Sequence, residues 1–454
     1  MTTKSHPGAK SLTPAVPATL RDTVGDTGAV IDAIVVGGGF AGATAARELA
    51  RSGSRVVLLE ARDRLGGRTW TSSFGGQQVE MGGTWVHWHQ PHVWAELTRY
   101  GLELAESPAA PRVLSAEGEH DAVQLFAGLG EANARVCHDA LAVLPRPHDP
   151  LSGDVAAIDG LAIADRMDEA AVDEPQAAWL RSLWETSASA YLDEVGLAAA
   201  LRWFALAGFS YDLMIDCVSR YKIARGTRTL VEAIAGDGSA EIRLESPVAA
   251  IEHDDRRVAV RLRDGTTLEA AVAVIALPLN VLGSVAFDPP LSAGKREAAA
   301  AGQASHGTKI WVRARGEVER AAIGAPGTAV NYMQPEYRVD GDTLLVGFGP
   351  DSGLLDPGDE DAVLAAAARL YPDEELVAAH GHDWVADEFA RGTWSMYRPG
   401  QLTGSLRELQ RPEGRVVFAG SDVANGWNGF IDGAIESGLR AARLAHALPS
   451  SGGR

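Results

Sequence analysis

Three glycines after an apolar run have the spacing that binds a nucleotide diphosphate. Gly37, Gly39 and Gly42 satisfy the GxGxxG pattern directly after Ile31–Val36. In such a turn the first glycine allows the tight bend, the second lets the backbone approach a pyrophosphate, and the third permits close packing of a helix on a strand. Glu60 ends the next apolar run, where a carboxylate accepts hydrogen bonds from a ribose diol. The pattern therefore predicts a dinucleotide site.

The residues that follow indicate which dinucleotide is bound. An acidic residue such as Glu60 at that strand end disfavours the phosphate on the ribose of NADP, which leaves NAD and FAD. A basic, glycine-rich loop comes next, with Arg62, Gly67 and Arg68, and a second glycine turn contains Gly83. An extended FAD molecule needs backbone approach and cations along its length, whereas a nicotinamide cofactor does not need these loops. The sequence therefore favours FAD.

Other candidate chemistry is weaker. His87, His89 and His92 lie close together, but no cysteine or carboxylate set accompanies them and Pro91 interrupts a helical register. We therefore predict no metal site, and these imidazoles are either structural or include one that lines a pocket. The chain has two cysteines, neither in the context of a nucleophile, and no GxSxG nucleophile elbow.

Composition and charge exclude several classes of protein. Of 454 residues, 46% are hydrophobic and 22% charged, which is typical of a packed globular protein and not of a disordered or collagen-like chain. A formal net charge of -19 disfavours binding to nucleic acid or to an anionic membrane surface. Two cysteines favour a reducing, cytoplasmic compartment. No export signal or membrane span is recognisable.

The dinucleotide motif requires a strand, a helix and a second strand in that order. Ile31–Val36 is predicted to be a buried strand, an alanine-rich helix runs from about 42 to 52, and 55–59 is a second buried strand. A further buried strand at 415–419 leads through a glycine-rich turn into a helix that begins near Phe430. Such a helix directs its positive end at a bound flavin. We expect both units to lie in one nucleotide-binding domain.

The middle of the chain divides into a helical part and a β part. Residues 95–220 have helical spacing and few strand signals, and the predicted helices are 93–100, 176–187 and 194–204. Beyond them the pattern changes to strands, including a hairpin, and one helix. The predicted strands are 241–244, 248–253, 258–262, 266–270, 272–277, 309–314 and 343–348, and the helix is 360–370.

These elements predict an α/β protein with a Rossmann-type FAD-binding domain and an inserted α+β substrate domain. Residues 1–29 lack periodicity and are expected to form a flexible leader. The FAD-binding domain is expected to be discontinuous. Its segments are 30–95, 220–287 and 395–450, and the substrate-binding segments are 96–219 and 288–394.

Several motifs together resemble the flavin-dependent amine oxidase family, the monoamine-oxidase-like group. The resemblance runs from about residue 32 to 448. Within the family the chain is most similar to bacterial nicotine and 6-hydroxynicotine oxidases, and the implied fold is the amine oxidase or glutathione-reductase-like FAD fold. The motifs are GGGFAG, LEARDRLGGRTWT, MGGTW, SPVAAIE, HGTKIWV, RGTW and FAGSDVANGWNGFIDGAIESG.

The resemblance implies contacts to FAD along the whole cofactor. The implied cofactor-binding residues are Gly37, Gly39, Gly42, Glu60, Arg62, Gly67 and Arg68 at the ADP half, Gly83, Thr84 and Trp85 along the flavin, Val248 at the adenine, and Gly420, Ser421 and Ile431 at the pyrophosphate and isoalloxazine. Mammalian relatives bind FAD covalently through a cysteine, but the matching position here is Thr393, which implies non-covalent FAD. Those relatives also end in a membrane helix, whereas this chain ends in LPSSGGR.

The resemblance also implies three catalytic residues. Trp394 and Phe430 match the two positions of the family's aromatic cage, whose apolar faces favour a neutral amine and exclude water. Lys309 matches the lysine that holds a water near flavin N5, and an ammonium is costly to bury in the apolar stretch 310–312 without a use. The alternatives are that both rings belong to the core and that Lys309 reaches solvent from an edge strand.

The implied activity is that of an FAD-dependent amine oxidase. A small, cyclic or secondary amine would lose hydride to flavin and leave as an imine or iminium, and dioxygen, giving hydrogen peroxide, or another acceptor would take the electrons. An L-amino-acid oxidase is an alternative, but residues 82–87 lack the arginine that such enzymes carry. A polyamine oxidase would need acidic pocket residues that the sequence does not locate, and a non-catalytic flavin-binding protein is the alternative from another class. The oligomeric state, a homodimer included, is left open.

Overall fold

The computed structural model describes residues 30–448. The expected leader and the last six residues of the chain, which include most of its LPSSGGR end, lie outside the described part. The strands are β1 (Ile31–Val36), β2 (Val56–Leu59), β3 (Thr71–Phe74), β4 (Gln77–Glu80), β5 (Leu104–Glu106), β6 (Arg112–Ser115), β7 (Gly118–Asp121), β8 (Tyr221–Ile223), β9 (Glu241–Arg243), β10 (Val248–His253), β11 (Val258–Leu262), β12 (Thr267–Ile275), β13 (Ala286–Asp288), β14 (Thr308–Ala314), β15 (Arg320–Ile323), β16 (Tyr332–Val339), β17 (Asp342–Gly349), β18 (Leu376–Gly381) and β19 (Val416–Phe418).

Helices lie between these strands and cover their faces. The helices are α1 (Phe40–Arg51), α2 (Pro91–Tyr100), α3 (Ala122–Val136), α4 (Ala140–Val143), α5 (Ile163–Glu169), α6 (Gln176–Ala188), α7 (Leu197–Leu206), α8 (Tyr211–Ser219), α9 (Thr227–Gly236), α10 (Leu279–Leu282), α11 (Ala293–Ala301), α12 (Glu360–Ala368), α13 (Gln401–Gln410) and α14 (Ile431–Ala447). Among the helices of residues 30–448, none combines the length and the apolarity needed to cross a bilayer.

An eight-stranded sheet carries the dinucleotide motif. Strand β1 lies in its interior, parallel to β2 on one side and to β12 on the other, and β19 is parallel to the end of β12. The full order is β13-β10-β11-β12-β1-β2-β9, with β19 beside β12. Helices α1, α9 and α14 pack on this sheet and share one apolar cluster with it. The carboxyl ends of β1 and β2 therefore open at one edge, where ligands of such sheets bind.

A seven-stranded sheet and a group of helices form the second layer. Its order is β18-β14-β17-β16-β15-β6-β7, and β14 lies between β18 and β17, antiparallel to both. Helices α3, α5, α6, α7 and α8 pack together around buried Trp184 and Trp203, in a cluster that also includes Ala321 and Ile323 of β15. This layer therefore has its own core.

Several predicted elements match the structure to within a few residues, and one prediction is wrong. The strands 266–270 and 272–277 are a single strand, β12. Its first half pairs antiparallel with β11, and its second half is parallel to β1 and β19. No glycine or proline interrupts it, so the chain continues straight while its partners change. A single sequence gives little indication of such a change of partners.

The predicted scarcity of strands in 95–220 is also incomplete. Strands β5, β6 and β7 lie there, each of three or four residues. Strands β15 and β16 were likewise not predicted, and β16 contains Pro335 at a register shift. Short, partly polar strands have weak periodicity, and their partners, such as β15 for β6, are distant in the chain.

Candidate functional site

One large cavity, of about 280 Å³, runs from the eight-stranded sheet to the seven-stranded sheet and its helices. Its nucleotide end consists of residues at the carboxyl ends of β1 and β2 and near β10, and its aromatic end of rings from the second layer and from the start of α14. The nucleotide end comprises Gly37, Gly39, Glu60, Arg62 and Val248, and the aromatic end Trp203, Tyr332, Phe348, Trp394 and Phe430.

The cavity brings together nearly all of the sequence-predicted site residues. Those that line it are Gly37, Gly39, Glu60, Arg62, Gly67, Arg68, Gly83, Thr84, Trp85, Val248, Lys309, Trp394, Gly420, Ser421, Phe430 and Ile431. Gly42 does not line it. A Cβ at Gly42 would lie 1.9 Å from the carbonyl oxygen of Gly37, so this glycine lets α1 pack on the turn and contributes to the site through the backbone.

The glycine turn leaves space for a ligand beside the backbone. Gly37 has a φ of 104°, and a Cβ there would lie 2.6 Å from the carbonyl oxygen of Ala276. At Gly39, by contrast, a Cβ would meet no atom closer than 3.9 Å. Gly39 is also the N-cap residue of α1 and provides no side chain to cap it. The helix N-terminus therefore faces open space, an arrangement that suits a phosphate group.

Glu60 closes the same turn from the next strand. Its carboxylate accepts hydrogen bonds from the backbone N–H of Gly38 at 2.7 Å and of Arg62 at 2.9 Å. Burial raises the pKa of Glu60, and these two hydrogen bonds oppose that shift. A carboxylate has further lone pairs, so Glu60 retains acceptor capacity for a ribose diol. The turn, the open N-terminus of α1 and Glu60 together fit the ADP part of FAD.

Arg263, which also lines the cavity, is paired with Glu388 at 2.6 Å. The two sequence-predicted arginines of the site are likewise paired with protein groups. Arg62 Nη2 lies 2.5 Å from Asp387 Oδ1. Arg68 donates to the carbonyl oxygen of Thr393 at 2.9 Å and to Asp422 Oδ1 at 2.6 Å. These contacts hold the segment around 387–393 against the glycine-rich loop. Both guanidinium groups thus organise the cavity wall as well as adding positive charge.

Lys309 is buried at the floor of the cavity. Its Nζ donates to the carbonyl oxygen of Gly82 at 2.8 Å and to Thr84 Oγ1 at 2.6 Å. The rings of Trp85 and Phe348 surround it, with centroids 5.2 and 5.9 Å from Nζ. Burial lowers the pKa of Lys309 to about 7. Because β14 is an interior strand and the side chain is buried, Lys309 is not a lysine that reaches solvent from an edge strand.

The predicted aromatic pair lies in the cavity wall. Trp394 is half-buried, and its indole N–H donates to the carbonyl oxygen of Ser187 at 2.8 Å. Phe430 makes edge contacts with Trp203 and Trp427, with ring centroids 4.7 and 5.0 Å apart. Phe430 is also the residue that precedes α14. Both rings thus have fixed orientations and still contact the cavity.

Sequence reasoning missed much of the aromatic end. Tyr332 and Gln334 of β16 and Phe348 of β17 line the cavity, together with side chains of α3, α6, α7 and α8. Alternation along β16 could have indicated its polar residues, but Pro335 obscured that strand. Of the described residues that line the cavity, Glu60 is the one carboxylate, and it lies at the nucleotide end.

The histidine cluster lies outside the cavity wall. His87 is buried, and its Nε2 lies 3.0 Å from Asp216 Oδ2. Asp432, in the first turn of α14, accepts a hydrogen bond from the backbone N–H of His92 at 2.6 Å. His87, His89 and His92 are all absent from the cavity lining. Within residues 30–448, no group of three or more His, Cys, Asp and Glu side chains is arranged to hold a metal ion.

Comparison with known proteins identifies relatives over almost the whole chain. Residues 40–446 match the family described as flavin containing amine oxidoreductase. Pseudooxynicotine dehydrogenase of a Pseudomonas species is 41% identical over 90% of this chain and 84% of its own. Nicotine dehydrogenase of Pseudomonas putida is 38% identical over 98% and 94%. A redesigned putrescine oxidase has the same fold, with a TM-score of 0.80 at 22% identity over 92% and 99%.

Proposed function

Because the chain belongs to the family of flavin-containing amine oxidoreductases and is an FAD-dependent amine oxidase, we propose that its substrate is a small cyclic or secondary amine. FAD, when bound, would supply the acceptor for the hydride on the carbon next to the amine nitrogen and the route for its electrons to an external acceptor. The family match confirms the predicted FAD-dependent amine oxidase. The similarity to putrescine oxidase confirms the predicted α/β FAD-binding fold. The product is an imine or iminium that hydrolyses in water.

One observation carries the proposed substrate class: the aromatic end contains five rings and no carboxylate among its described lining residues. A neutral amine binds such a wall without losing strong hydration, and the rings exclude water from the reacting bond. A polyamine is a dication, so it would leave one ammonium without an anionic partner there. The wall therefore favours a monoamine with an apolar body.

The cations of the cavity argue against an amino acid as the substrate. Arg68 is already bound to Asp422 and to the carbonyl oxygen of Thr393, and Arg62 is bound to Asp387. Arg263, the third arginine of the lining, is bound to Glu388. Lys309 is the one cation among the described residues of the wall that lies beside the rings. A substrate carboxylate would compete with these contacts and would have no guanidinium free to form a bidentate pair.

We propose that Lys309 holds a water molecule next to the reacting bond. Its ammonium has three N–H donors, of which two are used by Gly82 and Thr84. The third donor is available to a water molecule in the cavity. With a pKa of about 7, Lys309 gains or loses its proton near neutral pH. It therefore can place or withdraw a positive charge beside the cofactor.

We further propose that FAD is bound without a covalent link, and that FAD and the amine are bound by different segments of the chain. Thr393 has a hydroxyl, which donates to Ser189 Oγ at 3.0 Å, and offers no thiolate. Acid precipitation should release the yellow colour into the supernatant. Segments 30–95, 220–287 and 395–450 would bind FAD, and 96–219 and 288–394 the amine. The nucleotide end and four of the five rings at the aromatic end support this division, whereas Phe430 comes from the segment 395–450.

The family, the net charge and the two cysteines support proposals for the partners and the compartment. The substrate is an amine and the second partner is an electron acceptor, which we propose to be dioxygen or another oxidant. A net charge of -19 supports the absence of a nucleic acid or anionic membrane partner. Cys137 and Cys217 are buried and unpaired, which supports a cytoplasmic location.

Anaerobic mixing with candidate substrates tests the proposal. The relatives' names suggest nicotine and pseudooxynicotine as first compounds, with cyclohexylamine, putrescine and an L-amino acid as contrasts. We expect the flavin absorbance to bleach with aryl-substituted cyclic or secondary amines. Bleaching by putrescine or the amino acid alone would contradict the substrate class. Bleaching by none of a broad amine panel would support a non-catalytic flavin protein. Peroxide formation on admission of air then identifies dioxygen as an acceptor.

A further inference from the structure

We propose that Tyr332 presents only a hydrogen-bond acceptor to the substrate, so that the enzyme selects amines with an N–H or O–H donor remote from the bond that is oxidised. This inference rests on the proposed function, because it concerns the substrate of that same cavity. A row of side chains along β16, together with Lys222 and Ser107 that contact its buried end, determines which group Tyr332 presents.

The row consists of alternate residues of one strand. Tyr332 and Gln334 are two positions apart on β16, so their side chains project from one face of the sheet. Glu336 follows at a register shift between Pro335 and Tyr337, and its hydrogen bond with Gln334 places its carboxylate beside that amide. Tyr332 and Gln334 line the cavity, whereas Glu336 is 2% exposed and lies behind them. A buried carboxylate is thus connected to the cavity wall through one amide and one phenol.

Hydrogen bonds within the row have a fixed direction. Gln334 Nε2 lies 3.2 Å from Glu336 Oε2, and Tyr332 Oη lies 2.9 Å from Gln334 Oε1. A carboxylate can only accept, so Gln334 must turn its NH₂ group to Glu336 and its oxygen to Tyr332. The phenol must then donate its one proton to Gln334. What remains on Tyr332 Oη for the cavity is a lone pair.

Glu336 has two further partners, a buried lysine and a serine. The ammonium of Lys222, 5% exposed, donates to the same carboxylate. Ser107 Oγ donates to Glu336 Oε1 at 2.7 Å and itself accepts from the indole N–H of Trp85 at 3.1 Å. Because removal of either charge would leave the other buried and unpaired, the pair is expected to persist as an ion pair. The direction of the row is therefore stable.

Strand pairing shows how far this acceptor is from the reacting bond. Lys309 of β14 is paired with Phe348 of β17, and Phe348 is paired with Tyr332 of β16. The three residues form one row across the sheet, and two strand spacings separate Lys309 from Tyr332, roughly 10 Å between their backbones. A substrate that reacts beside Lys309 therefore reaches Tyr332 with its other end.

The proposed selectivity is for a donor over a pure acceptor at that other end. An amine with a phenol, a lactam N–H or a protonated ring nitrogen there would form a hydrogen bond to Tyr332. An ether or a neutral pyridine nitrogen would place two lone pairs against each other, without a hydrogen to share. A site built to hydrogen-bond one group rejects an analogue that lacks it.

Matched probes test this selectivity. One pyrrolidine carries a meta-hydroxyphenyl ring, and another carries a meta-fluorophenyl ring of similar size without a donor. We expect the hydroxyl compound to have an apparent Kd in anaerobic flavin reduction about tenfold lower, as for one well-formed neutral hydrogen bond. The two corresponding cyclopentanes cannot be oxidised, so their Ki values measure binding apart from turnover. We expect the same preference there.

Three variants locate the origin of the preference. Tyr332→Phe should bring the two probes within about twofold of each other. Glu336→Gln supplies an amide that can donate, so Gln334 can reverse and the preference should also fall, while the limiting reduction rate for unsubstituted phenylpyrrolidine stays close to the parent's. The double variant Lys222→Met with Glu336→Gln avoids an unpaired buried ammonium if the single variant does not fold. Tyr191→Phe, which removes a hydroxyl outside the cavity lining, is the control.

The outcomes separate this inference from the proposed function. Equal Kd and Ki values for the two probes in the parent enzyme would overturn the inference while leaving amine oxidation intact. So would a preference that persists in Tyr332→Phe. Failure of every pyrrolidine to bleach the flavin would instead count against the proposed function. A preference lost in both Tyr332→Phe and the Glu336 variants, but kept in Tyr191→Phe, supports the directed row.

Discussion

The two ends of the cavity differ in the kinds of atoms that line them. At the nucleotide end, the backbone of one glycine turn forms part of the surface, and Glu60 closes that turn from the neighbouring strand. At the aromatic end, side chains from two strands, α7, the residue before α14 and the segment at Trp394 converge. The first end depends on the absence of Cβ atoms, and the second on the presence of rings. Substitutions should therefore damage the two ends in different ways.

The largest expected effect is at the nucleotide end, in Gly42→Ala. The new Cβ would lie 1.9 Å from the carbonyl oxygen of Gly37, which is backbone and cannot move freely. We expect destabilisation of about 3 kcal/mol or more and loss of FAD. Thermal unfolding and the ratio of FAD to protein measure both. Gly236→Ala is the control, since its Cβ would meet nothing within 4 Å.

A companion variant sharpens the difference within the same turn. Gly39→Ala places its Cβ in open space, with no atom closer than 3.9 Å. The apoprotein should keep its melting temperature while FAD affinity falls. Two results would contradict this explanation of the nucleotide end. One is a Gly42→Ala variant that binds FAD as well as the parent, and the other is a Gly39→Ala variant whose FAD affinity equals the parent's.

The next largest effect is expected at the floor between the two ends, in Lys309→Met. Methionine keeps the apolar length and removes the charge, so the fold and FAD binding should survive. Reoxidation by dioxygen builds negative charge on oxygen and should slow by about a hundredfold, equivalent to about 2.7–4 kcal/mol, as when one preorganised donor is lost. Stopped-flow measurement of reduction and reoxidation separately checks this. Agreement of both half-reactions with the parent within about twofold would leave Lys309 without a catalytic role.

The pH dependence of Lys309 gives a second signature of the same residue. Its pKa of about 7 means that the ammonium is lost as pH rises through neutrality, so parental reoxidation should slow toward alkaline pH and the Met variant should be flat. The unfolded chain binds this proton more tightly, since the ordinary value is 10.5. Between pH values of about 7 and 10.5, the parent's free energy of unfolding should therefore rise with pH relative to that of Lys309→Met.

A smaller effect is expected for Glu60→Ala. The loss of one hydrogen bond between a charged group and the ribose should weaken FAD binding by about 1.5–3 kcal/mol, roughly ten- to a hundredfold. Equilibrium titration of apoprotein with FAD measures the change, and Glu60→Gln should recover part of it. FAD affinity equal to the parent's would show that another residue binds the ribose.

The smallest effect is expected at the aromatic end, in Trp394→Ala. Its ring is one of several in the wall, and an aromatic contact contributes about 0.5–1.5 kcal/mol, so turnover should fall by up to about tenfold while FAD stays bound. The control is Trp179→Ala, which removes a ring outside the cavity lining that makes an edge contact with His120. A variant that loses FAD but has normal kinetics in its remaining holoenzyme would make Trp394 a structural residue.

More of the nucleotide end than of the aromatic end could be predicted from the sequence. The strand–turn–helix unit around Gly37, Gly39 and Gly42 was predicted to within two residues, because turn shape and burial there depend on neighbours in the chain. Thr308–Ala314 was also recognised, from its apolar run. Strand β16 was missed, and with it Tyr332 and Gln334, because its pattern is broken by Pro335 and its pairing partners decide its conformation.

The amino-acid sequence by itself determined the cofactor class and identified one lysine and two aromatic rings of the cavity wall, Lys309, Trp394 and Phe430. These follow from local backbone requirements and from motifs whose residues are close in the chain. Only the tertiary structure decided what the other end of the cavity presents to a substrate. The direction of hydrogen bonding at Tyr332 depends on Lys222 and Ser107, which lie more than a hundred positions from Glu336 in the chain. Contacts of that kind arise only when distant segments pack together, so no local pattern indicates them.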